Sequence, residues 1–142
     1  MILMPMPMEY RQASRDFDRF MEDLRDTSML ATTHQAYTML QGVLQVFRRR
    51  LTVQQALRFA DVLPPVLRAI FVSDWNVEEP PRAFASAAEM NIEARELRPD
   101  HNFSTETAIA DVASALRRHV DAAAFERMLG QLPPAARAFW TP

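Results

Sequence analysis

The densest run of charge in the chain, Arg48-Arg49-Arg50, recurs sixty-nine positions later as Arg117-Arg118-His119. Two chemistries fit such a run. Guanidinium groups fork onto phosphates and carboxylates through parallel hydrogen bonds, so Arg48, Arg49, Arg50, Arg117 and Arg118 form two related candidate anion sites for a phosphorylated ligand or nucleic acid. Cations in the last turn of a helix also interact favourably with its dipole, by roughly 0.3 to 1 kcal/mol each, and that explains the run with no ligand. No basic and aromatic residues interleave there as a base-stacking surface requires. Trp75 is the other residue to single out, because it stands in an acidic, proline-rich stretch. A tryptophan so placed either packs over a junction or, exposed, anchors an interface.

Catalytic constellations are harder to find. His34, His101 and His119 occupy unrelated contexts, and no His-Glu-x-x-His pattern joins any two of them. His119 replaces Arg50 in the recurrence, while His34 and His101 fall at or just before helix starts. Glu22/Asp23, Glu78/Glu79 and Asp16/Asp18 are acidic pairs whose spacing sends the members to different sides of a helix, the pattern of a solvated face. The chain has no cysteine, which excludes disulfides, thiolate nucleophiles and thiolate metal ligands. Its two glycines, Gly42 and Gly130, cannot build a phosphate-cradling loop. An enzymatic reading therefore has no residues to stand on, and no cofactor or metal is expected.

Bulk properties narrow the partners. With 142 residues and a net charge of -2, no strong global field recruits nucleic acid or an anionic membrane. All sixteen basic residues are arginine, which together with abundant alanine is the codon signature of a GC-rich genome. The opening MILMPMPMEY lacks a basic start, and Pro5 and Pro7 interrupt it, so a secretory leader is not expected. No run approaches the roughly 20 apolar residues of a membrane span. A cytoplasmic protein is expected, without membrane partners.

The elements that must position these residues follow from the same recurrence. Residues 38–71 align without a gap on 107–140, with ten of thirty-four positions identical, among them Leu63/Leu132, Pro64/Pro133, Pro65/Pro134 and Arg68/Arg137. Such a repeat marks a duplicated supersecondary unit. Leu40, Val43, Leu44, Phe47 and Leu51 fall on one helical stripe, and Ile109, Val112, Ala113, Leu116 and Val120 draw the same stripe in the second copy. Thr52 with Gln55 predicts a capping box for the next helix, and Asp121 caps its counterpart. Leu-Pro-Pro then ends that helix and starts a short one, since proline suits a first turn. Thr32 or Thr33, and Ser104 or Thr105, are the expected caps of the two central helices. Ahead of each repeat lies one more helix, over about 9–25 and 82–97. Gly42, mid-helix, costs about 1 kcal/mol relative to alanine and points to close helix approach.

The expected architecture is all-α: two tandem pseudo-symmetric halves of about four helices each, packed as one helical bundle about a two-fold axis. The boundaries are a flexible arm at 1–8, a first repeat at 9–73, a linker at 74–81 and a second repeat at 82–142. RRRLT and RRHVD, each leading to LPP, with Trp75 between the halves and a closing RAFW, resemble the bacterial family called domain of unknown function 2267. The resemblance covers nearly the whole chain except the Met-Pro start. It implies an all-helical, twice-repeated bacterial protein with no established activity, so it carries over no catalytic residue. The function expected is a non-enzymatic interaction or regulatory module, binding another protein or itself. The alternative is a binder of phosphorylated ligand or nucleic acid through the duplicated arginines.

Overall fold

Leu40, Val43, Leu44 and Phe47 are all fully buried, and the helix that carries them, α3 (Thr33–Arg48), packs against four others. The computed structural model describes residues 6–97 and 104–142. Among the described residues the chain is all helical, with α1 (Met8–Arg11), α2 (Ala13–Ser28), α3, α4 (Val53–Ala60), α5 (Pro65–Val72), α6 (Ala87–Glu96), α7 (Ala108–Arg117), α8 (Ala122–Leu129) and α9 (Pro134–Phe139). No helix among them is long and apolar enough to cross a membrane.

Local chemistry sets most of the boundaries. Thr32 with Gln35 and Thr52 with Gln55 close capping boxes on α3 and α4, and Ser86 with Glu89 closes a third on α6. Asp121 accepts the Ala124 N–H at the start of α8. Pro65 and Pro134 occupy the first turns of α5 and α9. The start of α7 departs from expectation. Neither Ser104 nor Thr105 caps it; the side chain of Asn91, on α6, accepts the Ile109 N–H at 2.9 Å. The hydroxyls of Thr105 and Thr107 donate instead to Asp111 Oδ2. The two outer helices also differ from the sequence pattern. A break at Gln12 separates α1 from α2, and α6 begins only at Ala87, leaving Phe84 in an irregular segment half-packed on the core. Of the expected arm at 1–8, the part up to Pro5 lies outside the described residues.

Each outer helix crosses to the opposite repeat. Besides packing on α3, α2 packs on α7, and α6 packs on α3 as well as on α7. The second crossing is tight, since a Cβ on Gly42 would lie 2.6 Å from the Ala94 carbonyl oxygen. Only glycine lets the two backbones come that close. Where the repeats meet, Phe47, Phe59, Phe71, Phe125, Phe139 and Trp140 form one aromatic cluster, with Phe47 4.8 Å from Phe59 and 5.2 Å from Trp140 between ring centres. Edge and tilted contacts of this kind add about 0.5 to 1.5 kcal/mol per pair beyond simple burial.

Candidate functional site

The five candidate arginines go to different places, and each is held by partners within the chain. Arg48 is the most enclosed, 7% exposed. Its Nη1 donates to the carbonyls of Phe71 at 2.9 Å and Ser73 at 2.8 Å, closing the C-terminal end of α5, and its guanidinium lies 5.5 Å from the Trp75 ring centre. Between the carbonyl and the ring, Asp74 takes a left-handed conformation, φ 52°. That turn brings the chain back so that Trp75 meets the cation. Burial, then the charge of Arg49, lowers the Arg48 pKa from its ordinary value, against the opposing pull of Glu79 and Asp74.

Arg49 and Arg50 both reach Glu93 on α6. Arg49 approaches it at 3.7 Å, whereas Arg50 grips both carboxylate oxygens and also donates to the Val46 carbonyl. Burial raises the Glu93 pKa, but hydrogen bonding to Arg50 and the charges of Arg50, Arg49 and Arg82 outweigh it, and the net shift is downward. In the second repeat, Arg118 donates to both oxygens of Asp23 and to the Thr27 hydroxyl, and His119 Nε2 lies 2.9 Å from the same carboxylate. The Arg118 hydrogen bond, against burial and helped by His119 and Thr27, takes Asp23 down to about 2. Glu93 and Asp23 thus do the same work from opposite sides: each is a carboxylate on the helix ahead of one repeat that clasps the arginine run of the other. Asp23, expected on a solvated face, is part of this clasp.

Arg117 repeats what Arg48 does. Its Nε donates to the Trp140 carbonyl at 2.6 Å, the residue aligned with Phe71, and its guanidinium lies 5.2 Å from the Phe125 ring centre. Arg68 donates to the carbonyls of Ala60 and Leu63 behind α4, and Arg137 reaches the Glu126 carbonyl at 3.5 Å. Two of the arginine pairs common to both repeats, Arg48/Arg117 and Arg68/Arg137, fasten helix ends. Their positions are explained by the orphan carbonyls that every helix C-terminus leaves.

The two runs do not share a cleft. Arg48 and Arg49 line one of about 410 Å³ together with Trp75, Asp74, Val53 and Val77. Arg118 lines a different one of about 450 Å³ with His119, Phe17 and Phe20. The first therefore unites two anion candidates with the interface candidate Trp75, while Arg50, Arg117 and Arg118 stand elsewhere. Thr52, on its edge, accepts the Gln55 N–H to cap α4, and among the described residues its hydroxyl is not hydrogen-bonded to a carboxylate. The cleft can stack, bury apolar groups and offer charge. His34 is exposed on the first turn of α3, and His101 lies outside the described residues. Among the described residues no group of His, Asp or Glu is arranged to hold a metal.

Val53, Val77 and Asp74 were not legible as site residues. Val53 shares a helical face with buried Ala56 and Ala60 in the sequence pattern, yet it and Val77 are exposed. The repeat alignment carries one usable signal, a mismatch on α4 one turn after Val53: Leu57 stands where the second repeat has Glu126.

A family model described as uncharacterized conserved protein, DUF2267, matches residues 17–139. No curated protein matches the chain.

Proposed function

The chain belongs to the DUF2267 family of uncharacterized conserved proteins, and we propose that it works as a non-enzymatic protein-interaction module with the Trp75 cleft as its binding face. The carrying observation is that half-buried Trp75 shares this cleft with exposed Val53 and Val77, framed by Arg49, Asp74 and Glu79. An aromatic anchor with apolar neighbours inside a polar rim is the composition of a protein-binding hot spot. We further read the chain as two pseudo-symmetric halves, 9–73 and 82–142, joined by 74–81. The reciprocal crossing of α2 onto α7 and α6 onto α3 supports that division. A regulatory or adaptor role inside the cell fits a module that offers a surface and no chemistry.

The test is site-specific photo-crosslinking in the native host, with the photoreactive side chain at Val77 in one variant and at Met29 in another. Met29 is 91% exposed and lies at the α2–α3 turn, so it reports nonspecific capture. One discrete cross-linked protein from position 77 and none from position 29 supports the reading. Identical products from both positions, or none from position 77, remove it.

Arg48 and Arg49, in the same cleft, support a second reading, a small phosphorylated ligand or nucleic acid. Loss of binding on Arg49→Ala and steep weakening with salt are its signatures. Affinity for oligonucleotides or inorganic phosphate that ignores both would dismiss it.

A further inference from the structure

Arg48 and Arg117 hold aligned positions and donate to aligned carbonyls, those of Phe71 and Trp140, but only one of them touches a carboxylate. Arg117 carries a carboxylate, that of Glu126 on α8. The aligned residue on α4 is Leu57, 52% exposed. Among the described residues no carboxylate lies within ion-pair distance of Arg48; its hydrogen bonds both leave from Nη1 and both end on carbonyls. Glu79, in the same cleft, is paired with Arg82 at 3.4 Å. Asp74 and Glu79 attract this guanidinium without touching it; its Nη2 and Nε make no hydrogen bond among the described residues and are not sealed from solvent, so two donors stay open to an incoming acceptor.

We propose that a protein partner supplies a carboxylate in direct contact: an Asp or Glu side chain of the partner seats on Arg48 as Glu126 does on Arg117, with its flanking apolar residues against Trp75, Val53 and Val77. This rests on the protein-interaction reading above and adds the chemistry of the partner. Charge decides between a carboxylate and a phosphate. The cost of desolvating a ligand rises with the square of its charge, whereas its attraction to Arg48 and Arg49 and its repulsion by Asp74 and Glu79, which line the same cleft, rise only in proportion, so a phosphate dianion gains less than a carboxylate. Arg48 without a contacting carboxylate, next to an Arg49 already 3.7 Å from Glu93, suits a single negative charge.

The experiment selects a phage-displayed random dodecapeptide library on the full-length protein and measures the enriched peptides on the wild type, Leu57→Glu and Leu57→Gln. Leu57→Glu restores in the first repeat the carboxylate found in the second, so it should fill the site from within. Expected are peptides sharing an Asp or Glu flanked by apolar residues, about tenfold weaker on Leu57→Glu than on Leu57→Gln. The glutamate variant should also melt higher than the glutamine variant by about 2 °C, the size of one exposed ion pair in a chain this long. Enriched peptides that lack acidic residues, or that bind both variants alike, overturn the carboxylate and leave the interaction module standing. Equal melting temperatures for the two variants also count against it, since position 57 then does not face Arg48. A library that enriches nothing over an unrelated protein removes the module and the carboxylate together. Inorganic phosphate that displaces the peptide at equal concentration transfers the site to the second reading.

Discussion

At Arg117 a guanidinium, an aromatic ring, a backbone carbonyl and a carboxylate are all drawn from residues 117–140, whereas at Arg48 the same set is one carboxylate short. The parts kept in both repeats are those that close helix ends: the arginine and the carbonyl it holds. The part that differs, Glu126 against Leu57, sits at the surface, where solvent screens an ion pair and it contributes little to folding. Between the aligned stretches the anchoring cation is thus kept while the outer position, Leu57 or Glu126, differs. In the first repeat that difference coincides with a cleft and a tryptophan.

The largest effect that sharpens this contrast is removal of the cation itself. Arg48→Ala strands the buried Phe71 carbonyl and frees the partly solvated Ser73 carbonyl, and should cost about 3 kcal/mol, against about 1 kcal/mol for Arg117→Ala, by urea denaturation. Equal costs would mean that the two sites are energetically alike. Next comes the α3–α6 crossing. Gly42→Ala should cost about 2 kcal/mol, because the new methyl meets backbone at Ala94 that cannot rotate away. The aligned substitution, Asp111→Ala, should cost less than about 1 kcal/mol, since it removes only surface hydrogen bonds from Thr105 and Thr107.

Acid should separate the two clasps. Asp23 has its folded pKa depressed to about 2 from 3.8, so its contribution is complete above the unfolded value and is lost as pH falls from about 4 toward 2. With its side chain 24% exposed, solvent screening trims the contribution to between about 1 and 2 kcal/mol. Asp23→Asn should flatten that part of the stability profile and leave the part due to Glu93, which is also depressed. An unchanged acid limb in the variant would show that the Arg118 and His119 pairing carries no weight. The smallest effect belongs to the exposed pair: Glu126→Leu should lower the melting temperature slightly, the reverse of Leu57→Glu, and the double swap should leave it near the wild type. Differential scanning calorimetry of the three variants reads this directly.

Much of the framework was open to reading from residues alone. The stripes on α3 and α7, the Thr52 box, the Asp121 cap, the proline starts and the close approach at Gly42 all depend on local chemistry or on strict periodicity, and the structure has each of them. What could not be read depends on which helices meet. Asn91 caps α7 from eighteen residues away, and the carboxylates that clasp the arginine runs come from helices of the opposite repeat. Trp75 was conspicuous by type, but that it joins Arg48, Val53 and Val77 follows from the turn at Asp74. The anion candidates were chosen as a set because they align, and they separate because alignment fixes their anchoring carbonyls and says nothing of their outer faces.

The side-chain signals of Arg48 and Arg117 in solution give the most direct test of the contrast between them. Nitrogen-15 NMR of the Arg48 and Arg117 Nε–H groups would be recorded while titrating an enriched acidic peptide, then the same peptide with its Asp or Glu replaced by the amide. The expected result is that Arg48 shifts with the acid and far less with the amide, while Arg117, already paired with Glu126, stays still in both. Equal movement of Arg48 with acid and amide, or movement of Arg117, would contradict an open cation site in the first repeat.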